Sequence, residues 1–243
     1  MTDRKTILLQ GAMHLEISYF LSHMTEVKPV TYAGFNFWQG KSGLHSLVLS
    51  QTGVGTAMAG AATVLGIEKF QPDLIINQGT AGAYAAELTY GDIVIGKQVF
   101  NGNAAHTRRD GSLQYIDMTS LEQEDDFNKM FLPKPKYFLS EAKAVAAALA
   151  ASSSYQEGKV VSGVIASFDQ WNLELAKIKR LQLETGALCE EMEAGAVAAI
   201  ATVNQVPFLA VRVISNNNTL GTTFQGETAL MGQRFVEAIL NKL

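Results

Sequence analysis

Glu190, Glu191 and Glu193 place three carboxylates within four residues, and they run straight into the small apolar residues 194–200. Acidic side chains at the head of a helix complement its dipole. The residues that follow, however, are apolar on nearly every face, so a buried helix is predicted over 191–204, and a buried carboxylate needs a partner. Arg212 is the natural candidate, because it sits inside the apolar run 207–214, where a charged side chain rarely survives unpaired. Helical spacing puts Glu193 on the face of Val197 and turns Glu190 and Glu191 elsewhere, so the expected pair is Glu193–Arg212. Glu16 lies five residues beyond Gly11, in what reads as the first turn of a helix. It is either a capping charge or a general base at a pocket mouth. Trp171 and Phe224 have the chemistry to stack on an aromatic ligand, although such residues also fill cores. Asn216 ends its strand in Ser215-Asn216-Asn217-Asn218 and can close it with an Asx-type turn.

The elements that must position these residues alternate along the chain. Strands are predicted over 6–9, 32–39, 46–51, 74–77, 92–95, 160–166 and 207–214, and helices over 57–69, 141–151, 173–181, 191–204 and 227–242. That alternation implies α/β crossovers around one sheet. Three glycine-containing loops, Gly11-Ala12-Met13, Gly53-Val54-Gly55 and Gly79-Thr80-Ala81-Gly82, follow successive strands, where an open α/β sheet collects its ligands. None matches a Walker A loop or a dinucleotide fingerprint. The polar stretch 101–136 resists assignment and reads as a long active-site or interface excursion.

Bulk properties narrow the function classes. The 243 residues are 47% apolar and 17% charged, enough for a sizeable core and too apolar for disorder. A net charge of −4 leaves no electrostatic footprint for nucleic acid or an anionic membrane, and Arg108-Arg109 is too small a cluster to change this. The one cysteine, Cys189, excludes an internal disulfide, and the four histidines are scattered rather than spaced as metal ligands. The start of the chain leads into Ile7-Leu8-Leu9, far short of a signal or membrane-spanning segment, so the expectation is a cytoplasmic protein.

The motifs Gly11-Ala12-Met13-x-x-Glu16, Asn77-x-Gly79-Thr80-Ala81-Gly82, Glu191-Met192-Glu193-Ala194 and Val206-Pro207-Phe208-(x)3-Arg212-(x)2-Ser215 occur in this order. In them the chain resembles the purine nucleoside phosphorylase/uridine phosphorylase superfamily, most closely its 5′-methylthioadenosine/S-adenosylhomocysteine nucleosidases. The resemblance implies one nucleoside phosphorylase-like α/β domain over 1–243, with a central mixed, barrel-like sheet flanked by helices. It further implies an N-glycosyl hydrolase of purine nucleosides, working through an oxocarbenium-like transition state as a homodimer, without metal or organic cofactor. Glu16 stands where such enzymes keep the base that activates water, and Glu193 where they accept the ribose 2′- and 3′-hydroxyls, with Arg212 orienting it. Met192 would pack on the sugar and Trp171 on the base. Met13, Val54 and Phe224 would line the wall around the 5′ substituent, and Thr80, Ala81, Gly82, Glu191 and Ser215 complete the substrate-binding set. Phosphorylases of the superfamily carry a phosphate-binding arginine where this chain has Asn77, which favours water as nucleophile.

The chain departs from the nucleosidase pattern at Asn216. There the aminopurine enzymes carry an aspartic acid that protonates N7 of the leaving base, and an amide cannot supply that proton. Three alternatives to the adenine-nucleoside reading stay open on this residue and on the loops: a 6-oxopurine nucleosidase of inosine or futalosine type, a phosphorylase, and a non-catalytic nucleoside sensor. His14 stands in place of a usual acidic residue, which leaves the 5′-substituent specificity open.

Overall fold

The structure, a computed structural model, describes residues 4–119 and 127–243. Residues 1–3, where the N-terminal reading starts, and 120–126, inside the predicted excursion, lie outside the described residues.

The strands are β1 Thr6–Gly11, β2 Thr25–Tyr32, β3 Phe35–Ser42, β4 His45–Gln51, β5 Leu74–Ala83, β6 Ile93–Asn101, β7 Ala105–Thr107, β8 Leu113–Ile116, β9 Phe131–Leu132, β10 Tyr137–Leu139, β11 Val160–Ser167, β12 Ala187–Glu191 and β13 Phe208–Asn217. The helices are α1 Ser18–His23, α2 Thr56–Phe70, α3 Ala142–Ala151, α4 Leu175–Thr185, α5 Ala194–Val203 and α6 Thr228–Leu240. β13 joins both β5 and β6, so β6–β11–β12–β5–β13 close into a five-stranded mixed barrel. β1 continues the sheet from β5 in parallel, followed by β4, β3 and β2.

The continuous apolar runs of β1, β5 and β13 are explained by two cores, one on each face. Ile7 and Leu9 face one cluster with Leu74, Ile76, Leu209, Val211 and helices α3 and α6. Leu8 faces the other, with Ile75, Phe208, Ala210 and helices α2 and α5. Alternate side chains therefore go to opposite cores, and each buried aliphatic side chain contributes about 1.5–3 kcal/mol.

Several predicted elements change at their edges. The strand expected over 32–39 is two strands, β2 and β3, turned at Ala33 and Gly34, both with positive φ. The helix expected from residue 191 starts at Ala194, because Glu190 and Glu191 still pair as strand with Gly82 and Ser167. In the excursion, β7, β8 and β9 form a small antiparallel sheet of their own. A register shift between Ile214 and Asn216 makes a bulge at Ser215, which re-aims the end of β13.

Candidate active site

A cavity of about 310 Å³ lies where β1, β4, β5, β11, β12 and β13 end, bordered by Met13 and Val54 of two glycine loops and by Thr80-Ala81-Gly82, which are not the expected loop but the last stretch of β5, paired with β13. Met192, Glu191, Glu193, Ser215, Asn216, Trp171, Phe224 and Glu16 line it as well. Of the site residues read from sequence, Arg212 alone lies behind the wall, fully buried. Ala12, Gln170, Glu190 and Asn218 also line the cavity and were not singled out as site residues.

Glu16 ends a single 3-10 turn, His14–Glu16, rather than opening a regular helix, and is buried. Oε2 accepts from the amides of Ala12 (2.8 Å) and Met13 (3.1 Å), and Oε1 from Thr80 N (2.8 Å) and Thr80 Oγ1 (3.0 Å). Gln78 holds the Glu16 carbonyl. The carboxylate also needs Gly79: a Cβ there would meet Glu16 Oε1 at 2.7 Å. The Gly-Ala-Met turn and the Gly-Thr-Ala-Gly end of β5 thus act together as one cradle for a carboxylate.

The ion pair differs from the expected one. Arg212 Nη2 donates to Glu191 Oε2, not to Glu193, and to Asn77 Oδ1, while Nη1 donates to the carbonyls of Asn77 (2.9 Å) and Val211 (2.8 Å). Glu191 lies on a strand facing the barrel interior, so it reaches Arg212, whereas Glu193 has already turned out of the sheet. The same Glu191 oxygen accepts from the amides of Glu193 (3.0 Å) and Ala194 (2.8 Å), so Glu191 both neutralises Arg212 and caps α5. Its other oxygen, buried at the cavity, has no partner among the described residues. Burial would lower the Arg212 pKa, but the carboxylates of Glu191 and Glu193 raise it above its usual value.

Glu193 accepts from the amide of Gly55 at 2.9 Å. Burial, reinforced by the Glu191 charge and opposed by Arg212, pushes its pKa up to about 8. Gly55 has φ +96, a conformation that favours glycine and turns its amide toward this carboxylate at the start of α2.

At the far end of the cavity, Trp171 and Phe224 stand edge to face, ring centroids 6.2 Å apart, both partly exposed. Beneath them the asparagine triplet divides its work. Asn217 anchors the chain, donating to the carbonyls of Ala85 (3.0 Å) and Leu88 (2.9 Å), while Asn216 and Asn218 face the cavity. Glu190, which had no partner in the sequence reading, accepts from Tyr84 Oη (2.5 Å), Asn172 N (2.7 Å), Asn172 Nδ2 (2.5 Å) and Asn218 Nδ2 (2.7 Å). Burial raises its pKa, and the Tyr84 and Asn172 bonds oppose that rise. Three carboxylates in four residues therefore do three different jobs, a distinction that strand register and the turn before α5 create and that composition cannot reveal.

Fold and site define a mixed α/β barrel with a cavity at its strand ends, carboxylates on one wall and amides beneath an aromatic edge on the other. The chain belongs to the phosphorylase superfamily, whose sequence profile it matches over residues 6–242. It is 34% identical over 209 residues to the 5′-methylthioadenosine/S-adenosylhomocysteine nucleosidase of Shewanella piezotolerans, covering 85% of this chain and 84% of that one. Its fold matches the nucleosidase of that name from Neisseria meningitidis, solved with methylthio-immucillin-A, with a TM-score of 0.80 at 26% identity over 98% of this chain and 100% of that one. The futalosine hydrolase of Helicobacter pylori shares the fold at 21% identity with a TM-score of 0.81, over 98% of each chain.

Proposed function

We propose that this protein is a purine nucleoside N-ribosyl hydrolase of the 5′-methylthioadenosine/S-adenosylhomocysteine nucleosidase type, releasing the base and a ribose that carries its 5′ substituent. The observation that carries this reading is the charge of the cavity. Glu16, Glu190, Glu191 and Glu193 line it, and among the described residues no lysine, arginine or histidine does. A phosphate dianion would have no cationic partner there, whereas a developing oxocarbenium ion and its hydroxyl donors would be stabilised by carboxylates.

In this reading Glu193 and the unpartnered oxygen of Glu191 accept from the ribose hydroxyls, and Met192 packs on the ring. Glu16 takes a proton from the attacking water. Of its four donors, three are backbone amides, and only the Thr80 hydroxyl can rotate to free a lone pair for that water. Trp171 covers the base, and Met13, Val54 and Phe224 surround the 5′ substituent. The barrier falls by charge stabilisation and positioning from the protein's own groups. A homodimer in the cytoplasm completes the proposal: Val54 and Met58, beside the cavity mouth and on α2, are large apolar side chains left exposed in the single chain.

Methylthioadenosine, S-adenosylhomocysteine, inosine and futalosine, each incubated with and without phosphate and followed by chromatography of the released base, test the activity. Base release independent of phosphate is expected. Release only with phosphate would make it a phosphorylase, and tight binding without release a sensor. Sedimentation velocity tests the dimer.

A further inference from the structure

The strap between β11 and α4, residues 168–174, carries Trp171 to the cavity, and Asp169, Gln170 and Trp171 on it are exposed. Anchors hold it on either side: Phe168 N donates to the Glu191 carbonyl (2.9 Å), and Asn172 N to Glu190 Oε1 (2.7 Å). Between them Asp169 ties the strap to two distant elements. Its Oδ1 accepts from Thr56 N (2.7 Å), and its Oδ2 from the Thr56 hydroxyl and from Asn103 Nδ2 (3.1 Å). Asn103 returns the bond, its Oδ1 accepting from Asp169 N at 3.2 Å. Helix α2 depends on this carboxylate. Gly55 at its N-cap has no side chain to cap it, so the first turn takes its acceptor and its negative charge from Asp169. A Cβ on Gly55 would meet Asp169 Oδ1 at 3.1 Å, so the glycine that aims its amide at Glu193 also makes room for Asp169. Consecutive amides at the head of α2 thus serve two carboxylates: Gly55 N donates to Glu193 and Thr56 N to Asp169.

We propose that Asp169 is a positioning residue for the ribose clamp: by latching the Trp171 strap to Thr56 it holds the Gly55 amide on Glu193, so that the cover over the base and the carboxylate beneath the ribose are set together. The inference rests on the purine nucleoside reading and adds to it a residue outside the cavity lining. Its effect is chemical as well as mechanical. The Gly55 bond favours ionised Glu193, the form that accepts from hydroxyls, and so opposes the rise in pKa that burial causes. Glu191, Arg212 and Glu16 are the other charged groups that act on Glu193, and all three stay in place when Asp169 is changed. Loss of the latch should therefore leave Glu193 protonated to higher pH and Trp171 less firmly held.

The test follows kcat/KM on 5′-methylthioadenosine from pH 5 to pH 9, and the Glu193 carboxyl by 13C NMR, assigned with Glu193→Gln, in the wild type and three variants. Asp169→Ala should move the limb set by Glu193, and its resonance, about one pH unit higher, which lowers kcat/KM at pH 7 about tenfold. KM should rise with it. Asp169→Asn keeps an acceptor for the Thr56 amide and should leave the limb near its wild-type position. Thr56→Val removes only the hydroxyl arm and should shift the limb in the same direction by less; it carries the test if Asp169→Ala does not fold. A limb and a resonance that stay put in Asp169→Ala, with the rate lowered equally at every pH, would show a merely structural role and overturn the inference, as would an Asp169→Asn as impaired as Asp169→Ala. If the wild type cleaves no nucleoside, the hydrolase reading fails by itself. The Glu193 resonance then decides the latch: a shift in Asp169→Ala supports it and an unmoved resonance overturns it.

Discussion

The guanidinium of Arg212 and the carboxylate of Glu191 meet in the barrel interior with both side chains almost wholly buried. The pair is embedded: Asn77 and the Val211 carbonyl take the other Nη donors, while Nε is buried without a partner among the described residues, and two amides at the head of α5 share the Glu191 oxygen. Removing one partner leaves an uncompensated buried charge, which costs about 3–5 kcal/mol. Arg212→Met should therefore lower stability by that amount in urea unfolding, and adding Glu191→Leu should recover part of it. A double variant no more stable than Arg212→Met would show that the two do not act as a pair.

Glu16 gives the sharpest activity test. Glu16→Gln keeps the shape of the cradle and removes the base, so turnover should fall by about 10²–10⁴-fold while circular dichroism stays unchanged. Gly79→Ala reaches the same group from behind, since its Cβ would press on Glu16 Oε1 at 2.7 Å. It should also depress turnover without touching the cavity surface. Near-normal rates in Glu16→Gln would remove this residue from the mechanism.

Glu193 predicts a pH dependence whose sign follows from its raised pKa. Between the ordinary value of 4.5 and about 8 the folded protein keeps a proton on Glu193 that the unfolded chain has released. Its contribution to stability is therefore fully present at low pH and is lost as pH rises to about 8. The stability difference between wild type and Glu193→Gln should shift in that direction between pH 5 and pH 8 in urea titrations. Because the ionised form is the better acceptor for ribose hydroxyls, kcat/KM of the wild type should rise across the upper part of this window, and Glu193→Gln should lose that limb.

Asn216→Asp places a carboxyl against Asn218 Oδ1, where Asn216 Nδ2 now donates at 2.5 Å. Two acceptors cannot face each other there, so either the new carboxyl holds a proton or Asn218 turns over. A held proton is an acid aimed at the leaving base, and activity on methylthioadenosine should rise relative to inosine. Chromatographic rates on the two nucleosides decide it; an unmoved ratio would show that this position does not discriminate between bases.

Much of this was legible in the chain by itself, for physical reasons. Apolar runs such as Leu74-Ile75-Ile76 and 207–214 require burial on both faces, so strands between helices were readable from pattern alone. A lone arginine in such a run demanded a carboxylate, and the carboxylate cluster was the obvious source. Order and residue type in the Gly-Ala-Met-x-x-Glu and Glu-Met-Glu-Ala motifs carried the family resemblance. Which carboxylate serves Arg212 was not legible, because it depends on where β12 stops: a strand residue reaches the barrel interior and a residue two further on does not. Asn217 and its neighbours look alike in sequence, and only the bulge at Ser215 sends Asn216 and Asn218 into the cavity and Asn217 into the loop carbonyls. Glu190 had no reading at all until Tyr84, Asn172 and Asn218, distant in sequence, closed around it. Residue types along the chain determined which charges had to be buried and neutralised; the register of the strands and the closure of the barrel decided which groups would do it.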